Sequence, residues 1–573
     1  MATIRIWLHV PLLLACGALM ISCANQLPPE GGPVDKSPPA IISTYPDPYT
    51  LHFKDKRLNL EFDKYVDHRS VEESIFISPH LGELDFDWSG KEVEITFNDD
   101  LRKNTTYVVS VGTDVKDLRS PPNRMAQAYT FAFSTGADID RGGIRGKIYP
   151  IKSSDPSEGI MIFAYQLGSM NPDTLNPRTS KPDYITQTGT NGKFYLQHLA
   201  FGKYRIFAVK DEYRNLLYDP QIDEFGITSH DILLGVEDTL QDNVLMQMAK
   251  EDTTAPRLVK IDPRDVHHLS VELSESIDTT LSPPLALSII DTLSKDQLKI
   301  FSVYPSQSSL PYFTVVTDKQ DSTKGYRLTI DRASDLAGNQ IDQKANTLIF
   351  TGSDIADTSV TKVQSTSIPD SSSGVVLNPT IQIQFSDAVQ RQSFANAIAL
   401  TDTSGSGVPS SVDWLSDIIC RVRPQGSLSS KTVYRVSIRM ENGLDWSGKK
   451  FQDSLKVIRF ETLDAEALSS IEGIVVDTRE IEKEAAIIVT AEGVDAKNKK
   501  SYTTSADRNG SFLIGQIEEG RYVVHAFKDR NLNGKYDSGS PFPFVGSERF
   551  GYAPDTLKVR ARWPLEGVKI ELR

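Results

Sequence analysis

The sequence predicts an all-β chain, a tandem array of five β-sandwich modules of two kinds standing behind an N-terminal export signal. Three observations carry this. Runs of alternating apolar and polar residues dominate after residue 37, with few stretches at helical spacing. One order of strands recurs three times and a second, different order twice. The 573-residue length leaves room for about four or five domains of ordinary size.

The export signal comes first. Arg5 supplies a positive start, Ile6 to Ile21 is apolar apart from His9 and Pro11, and the small Ser22 precedes Cys23. Residues 1–22 therefore read as a secretory signal, too short and too poorly flanked for a spanning helix. A cysteine directly after the small residue resembles a bacterial lipoprotein signal, although Met20 stands where Leu is usual. Leu13-Leu14-Ala15-Cys16 is a rival site that leaves a very short apolar region, and an ordinary cleaved signal is the plain alternative. The resemblance implies that Cys23 is the lipidation site, carrying a diacylglyceryl group and further acyl chains such as palmitate. Acyl chains contribute about 0.8 kcal/mol per buried CH₂, so several on one residue hold a protein to a membrane durably. Residues 23–36, rich in Pro and Gly, read as a flexible linker. No acidic cluster follows Cys23, which leaves the periplasmic and the surface face both open.

Composition narrows the rest. Hydrophobic residues make up 39%, enough for cores. The net charge of −14 argues against a nucleic-acid partner. Three cysteines are too few for a disulfide framework, and Cys420, in a strand-like run, reads as a small buried hydrophobe. No later segment approaches 18 uninterrupted apolar residues.

The first kind of module occupies residues 37–137, 252–352 and 356–463 (units 1, 3 and 4). In unit 1, Leu58-Asn59-Leu60-Glu61-Phe62 alternates, Val93 to Phe97 follows a tight turn at Trp88-Ser89-Gly90-Lys91, and Thr105 to Val111 leads to Asp117-Leu118 before Tyr129 to Gly136 closes the unit. Unit 3 repeats the order through Leu269 to Leu273, Tyr326 to Ile330, Asp335-Leu336-Ala337-Gly338-Asn339 and Leu348 to Gly352; its register is unclear over 281–310. Unit 4 repeats it through Ile381 to Ser386, Tyr434 to Ile438, Asp445-Trp446-Ser447-Gly448 and Ile458 to Thr462. Strands at this spacing over about 100 residues predict an immunoglobulin-like sandwich. The recurring Thr-x-Tyr-x-Val, Asp-x-x-Gly-Asn and Phe-x-Thr-Gly elements resemble the bacterial Ig-like domains of S-layer proteins. The opening Cys-Ala-Asn with its Pro-x-Gly-Gly-Pro tract resembles Ig-like-domain lipoproteins of the Bacteroidetes type.

The second kind occupies 140–250 and 467–573 (units 2 and 5). Gly192 to Asp211 aligns without gaps to Gly510 to Asp529, each stretch entered through an Asn-Gly pair expected to make a hairpin turn. Both units open on an Ile-x-Gly strand, Ile144-Arg145-Gly146 and Ile471-Glu472-Gly473. They resemble the carboxypeptidase regulatory-like, transthyretin-like sandwich.

Candidate chemistry is sparse. Asp529, Asn531, Asn533, Lys535 (through its carbonyl) and Asp537, with Gly534 at the sixth place, have the spacing of a loop that wraps Ca²⁺. The twelfth place holds Ser540, so a bidentate ligand is missing unless Glu548 supplies it; an Asn-Gly turn capped by aspartates is the alternative. The matching stretch of unit 2 keeps Asp211 and Asp219 but has Tyr213 and Leu217 in between. His80 and Glu83 have the His-x-x-Glu spacing of zinc carboxypeptidases, without a third ligand or a surrounding catalytic domain. Gly443 to Lys449 matches a phosphate loop, yet Lys450 replaces the Mg²⁺-binding hydroxyl and no helix follows; the shared Trp-Ser-Gly-Lys of unit 1 points to a hairpin in both places. Trp88, Trp414 and Trp446 read as core or turn residues rather than sugar platforms, and His525 as a strand residue.

The expectation is a non-enzymatic lipoprotein of the cell envelope, held at the outer membrane by its lipid anchor. It would act as a binding, adhesion or scaffolding array with a protein or glycan partner and no cofactor beyond the candidate Ca²⁺. The alternatives are a glycan-binding accessory lipoprotein and, more remotely, a relative of zinc carboxypeptidases.

Overall fold

The computed structural model describes residues 35–152, 154–168, 171–279, 285–306, 311–477, 485–495 and 499–573. The export signal, Cys23, nearly all of the 23–36 linker and parts of the 281–310 stretch lie outside the described residues.

Unit 1 runs β1 (Ile41–Tyr45), β2 (Arg57–Phe62), helix α1 (His68–Glu72), β3 (Ile75–Ser78), β4 (Leu84–Ser89), β5 (Glu92–Phe97), β6 (Thr106–Val111) and β7 (Tyr129–Ser134). Two sheets, β1-β2-β5-β4 and β3-β6-β7, enclose one apolar core. The alternation read in the sequence places Leu58, Leu60 and Phe62 in that core.

Unit 2 follows with β8 (Gly142–Tyr149), β9 (Met161–Gln166), β10 (Tyr184–Gln187), β11 (Lys193–Leu199), β12 (Gly202–Lys210), β13 (Glu224–Ile227), β14 (Ile232–Leu234), β15 (Leu240–Gln247) and β16 (Ala249–Lys250). Its sheets are β11-β8-β15, with β15 parallel to β8, and β10-β9-β12-β13-β16.

Unit 3 comprises β17 (Leu258–Pro263), β18 (His268–Leu273), β19 (Ala286–Asp291), β20 (Ile300–Pro305), β21 (Tyr312–Thr317), β22 (Gly325–Arg332) and β23 (Thr347–Thr351). Its sheets β17-β18-β21-β20 and β19-β22-β23 repeat unit 1 strand for strand, and β19 and β20 supply the register that the sequence left unclear. Unit 4 has β24 (Val363–Thr366), β25 (Ser372–Val375), β26 (Ile381–Phe385), β27 (Ile398–Thr401), β28 (Ser410–Ser416), β29 (Ile419–Pro424), β30 (Val433–Arg439) and β31 (Leu455–Thr462). Here β25 is an addition, laid parallel to β31.

Unit 5 comprises β32 (Ser469–Asp477), β33 (Ala486–Gly493), β34 (Ser501–Ser505), β35 (Ser511–Ile517), β36 (Gly520–Asp529), β37 (Phe550–Tyr552), β38 (Leu557–Val559) and β39 (Leu565–Leu572). The order β35-β32-β39 with a parallel β32–β39 pair, and β34-β33-β36-β37, matches unit 2. The Ile-x-Gly signature has a steric cause. A Cβ on Gly146 would stand 2.0 Å from the Val244 carbonyl oxygen and 2.8 Å from the Phe194 ring; on Gly473 it would stand 2.1 Å from the Val568 oxygen and 2.8 Å from Phe512. Only glycine lets the parallel strand approach so closely.

Two local expectations need correction. The Asn191-Gly192 and Asn509-Gly510 turns are not hairpins between paired strands: β10 pairs with β9 and β11 with β8, so the turn carries the chain from one sheet to the other. Nor are the two Trp-Ser-Gly-Lys segments equivalent. The first closes the β4–β5 hairpin, whereas the second lies in the loop between β30 and β31. There Asp445 accepts the Lys449 N–H at 2.8 Å, as Asp335 accepts that of Asn339 at 2.8 Å and Asp117 that of Asn123 at 2.9 Å. The Asp-x-x-Gly-Asn element is thus a buried carboxylate that caps one turn in each of units 1, 3 and 4.

The units are not strung in a line. Val108 and Ala132 on the outer face of unit 1 join the core of unit 2. Tyr304 and Val316 of unit 3 share a small apolar cluster with Ala388 and Ile418 of unit 4. The chain then doubles back, and unit 5 docks on unit 2.

A candidate binding cleft between units 2 and 5

The docking of unit 5 rests on the loop between β36 and β37. Phe544 from this loop slides under Arg205, whose guanidinium carbon lies 3.7 Å from the ring centroid. Arg205 is itself fixed by Asp231 at 2.8 and 3.1 Å. The Ser547 hydroxyl donates to the Ile227 carbonyl at 3.1 Å. Gly546 is needed for the fit, because a Cβ there would stand 2.2 Å from the Ser229 oxygen. Beside this contact Tyr149 and Tyr552 stack at 4.2 Å, and the Lys147 ammonium lies 4.5 Å from the centroid of the Tyr149 ring. Gln247 accepts the Tyr552 hydroxyl at 3.4 Å.

The two units leave a cleft of about 760 Å³ between them. Its walls include Lys147, Tyr149 and Asp155 from unit 2 and Glu492, His525 and Tyr552 from unit 5. Burial lowers the pKa of His525 against the pull of Glu492, so the imidazole is neutral at neutral pH. Its Nδ1 is buried and has no hydrogen-bond partner among the described residues. Burial also depresses Lys147 and pushes the Tyr552 hydroxyl up to about 12. Sequence reasoning passed over His525 because Val523-Val524-His525-Ala526-Phe527 reads as any strand; nothing local shows that its outer side faces another unit.

The predicted calcium loop lies at the foot of the docking loop. Asp529 accepts the N–H of Asn533 at 3.1 Å and of Gly534 at 2.8 Å, and the Asn531 and Asn533 amides donate to Asp537 at 2.6 and 3.3 Å. Lys535 donates its N–H to Asn533 at 2.7 Å. Glu548 is drawn in, accepting the N–H of Arg530 at 2.6 Å and of Asp537 at 3.1 Å. Burial raises its pKa despite those two N–H groups, with Asp537 and Asp529 adding to the rise. Unit 2 holds the same cage. Asp211 accepts from Asn215 and Leu216, Asn215 donates to Asp219 at 2.8 Å, and Asp223 accepts from Glu212 and Asp219. Asp223 stands where Glu548 does, a correspondence hidden from the sequence by the different loop lengths. Position seven supplies a backbone carbonyl, so Leu217 removes no oxygen; the departures are Tyr213 at the third place and Leu216, which replaces glycine, at the sixth. Among the described residues, acidic or histidine groups with three ligand atoms within 4.8 Å are Asp265/His268/Asp357 and Asp252/Glu275/Asp335; the acids of the two cages form no such group.

The other sequence candidates fall into structural places. His80 and Glu83 are exposed beside β4. Cys420 is fully buried and its thiol is pushed up to about 12 by burial. Trp88 stacks on His68 at 3.9 Å and Trp414 on Phe385 at 5.8 Å. Trp446 belongs to the junction of units 3 and 4, where its indole N–H donates to Asp387 at 3.1 Å. Asp387 also receives the Tyr304 hydroxyl at 2.8 Å and His268 Nε2 at 3.1 Å, while Asp265 holds His268 Nδ1 at 2.9 Å. Burial opposes the charged imidazole, but the two carboxylates overcome it and raise His268 to about 9.

Comparison with known proteins identifies two of the five units. A family described as a bacterial Ig-like domain matches residues 35–135 and 357–462, which are Ig-like domains by sequence; unit 3 shares their strand order. No curated protein matches the chain. Among solved structures, the N-terminal part of the bacterial S-layer protein SbsC is similar at 15% identity over 36% of this chain, with a TM-score of 0.16. L,D-transpeptidase 3 from Mycobacterium tuberculosis is similar at 12% identity over 28% of the chain (TM-score 0.15), and SbsC domains 1–6 at 10% over 91% (TM-score 0.16). The chain spans 44%, 47% and 66% of these three proteins, respectively.

Proposed function

We propose that the protein is a non-catalytic, lipid-anchored component of the cell envelope that presents a binding cleft on a β-sandwich scaffold. The observation that supports this most is the cleft itself. Two units far apart in the chain are brought together by a dedicated loop, and the space between them is left open, with polar groups facing into it. Unit 1 stands between the anchor and the cleft in the chain, units 3 and 4 lead it back to unit 2, and a buried carboxylate caps a turn in each of the three. The export signal and Cys23 supply the location: acyl chains at Cys23 would tether the scaffold through the Pro/Gly linker.

Metabolic labelling with a palmitate analogue tests the anchor. The wild type should incorporate label and fractionate with the outer membrane, and Cys23→Ala should lose both. Label retained in Cys23→Ala would sink the assignment. Protease treatment of intact cells then separates surface display from a periplasmic position.

A Ca²⁺ ion at Asp529, Asn531, Asn533, Lys535 and Asp537 belongs to the same proposal. What favours it is Glu548, which reaches the loop and offers the carboxylate absent from the twelfth place. Terbium luminescence sensitised by Tyr536, and its loss in Glu548→Gln, would test it.

A further inference from the structure

Units 2 and 5 share a topology, so each position on the outer face of the larger sheet in one has a counterpart in the other. Phe207 pairs with Phe163 and Ile227, as His525 pairs with Thr490 and Tyr552. By the same registers Tyr165 corresponds to Glu492 and Ile185 to Thr503. In unit 2 this face is a second apolar core, built on Phe163, Tyr165, Ile185, Phe207 and Ile227. It is roofed by Leu175 and Tyr218 from its own loops, by Phe76 of unit 1 and by Phe544 of unit 5. In unit 5 the same face is polar at these positions and keeps Phe527 and Phe550 beside them. It carries two threonine hydroxyls 3.2 Å apart, the exposed carboxylate of Glu492, and an imidazole with a free Nδ1 beside the ring of Tyr552.

In unit 2 loops and neighbouring units roof this face, whereas in unit 5 it is left open to the cleft, with His525 and Glu492 lining it. We infer that the cleft over this face binds a short neutral saccharide. The inference deepens the binding reading above by naming the ligand class, and it stands whether or not Cys23 is acylated.

Other ligand classes fit less well. The floor is the middle of a sheet whose backbone groups are paired to neighbouring strands, so an extended peptide cannot add as a strand. Lys147 and Lys152 are balanced by Glu492, Asp155 and Asp555, so no field of one sign attracts a phosphate or a polyanion. A purely apolar ligand would strip water from the exposed carboxylate of Glu492 and give it no partner in return. A ring of hydroxyls supplies donors for His525 and Glu492, an acceptor for Lys147 and C–H faces for the aromatic wall, at no charge cost. The cleft volume of about 760 Å³ suits a few sugar rings.

Titration calorimetry of the full chain in detergent, with cellotetraose, xylotetraose, mannotetraose and chitotetraose as probes and tetragalacturonate and a tetrapeptide as controls, tests this. At least one neutral sugar should bind. His525→Phe with Glu492→Tyr, which installs the residues of unit 2, should weaken that binding at least tenfold without lowering the melting temperature. Glu492→Gln, at an exposed site, should weaken it severalfold and guards against a folding artefact. Binding of a control in preference to every neutral sugar, no binding of any of them, or sugar binding untouched in both variants would overturn the assignment. None of these results bears on palmitate labelling, so the two readings fail separately.

Discussion

The molecule joins β-sandwiches in two different ways. Units 3 and 4 meet through charge: a buried, protonated His268 lies between Asp265 and Asp387, and Asp387 also gathers the Tyr304 hydroxyl and the Trp446 N–H. Units 2 and 5 meet through rings and shape: Tyr149 on Tyr552, Phe544 under Arg205, and a glycine where any Cβ would collide. A buried ion cluster fixes geometry strongly but fails when one partner changes its charge. Aromatic packing is indifferent to pH, tolerates small shifts, and can border an open cleft. The join beside the candidate site is therefore the pH-indifferent one, and the charged join lies away from it.

The largest break in this contrast should come from Asp387→Ala. It removes one of the two carboxylates on a buried imidazolium and strands a tyrosine hydroxyl and an indole N–H, and should cost units 3 and 4 about 3–5 kcal/mol in urea unfolding. Loss of less than ~1 kcal/mol would show that the cluster is not a structural joint. Titration makes the same point without mutation. His268 is raised in the folded state, so its contribution, on the order of 3 kcal/mol, is full below pH 6.5 and is lost as pH rises through about 9. Hydrogen-exchange protection factors, which remove the base catalysis common to all amides, should fall at β18 and β26 over that window, while those at β13 and β37 stay level because Tyr552 remains un-ionised. Equal changes at both joins would erase the distinction.

At the aromatic join, Phe544→Ala should cost about 2 kcal/mol, seen as faster exchange at Phe225–Ile227 with units 3 and 4 unaffected. Gly546→Ala, whose new methyl would first meet the Ser229 backbone of unit 2, should undock unit 5 while leaving its own fold intact. The smallest effect is expected from calcium. With a dissociation constant of about 10⁻⁴–10⁻³ M, 1 mM Ca²⁺ would stabilise unit 5 by about 0.4–1.4 kcal/mol. Glu548→Gln should abolish the rise in melting temperature, and an undiminished rise would place the ion elsewhere.

Much of the architecture is legible in the chain because it is local. Leu58, Leu60 and Phe62 announce a half-buried strand, and the repeated Ile-x-Gly marks where one strand crowds another. What fails is topology hidden behind similar words. The Trp-Ser-Gly-Lys of unit 4 looks like that of unit 1, yet Trp88 answers to Trp414 in the equivalent strand, and Trp446 faces another unit. The cleft was beyond reach for the same reason. Its two stacked tyrosines are about 400 residues apart, and no periodicity tells a strand that its outer face has company. Glu548 was the one long-range hint, raised as a substitute ligand and found at the loop.

The central claim is that units 2 and 5 dock, and oxidative cross-linking tests it most directly. Tyr149→Cys with Tyr552→Cys replaces two rings 4.2 Å apart, and Cys420, buried with its thiol pushed up to about 12, stays out of the reaction. Mild oxidation of the full chain should join the pair within a single molecule, giving a species of altered gel mobility that a reductant restores. Two reactive thiols joined neither by the oxidant nor by a short bismaleimide, whose reach is free of disulfide geometry, would mean that the chain is an open string of sandwiches and that the cleft does not exist.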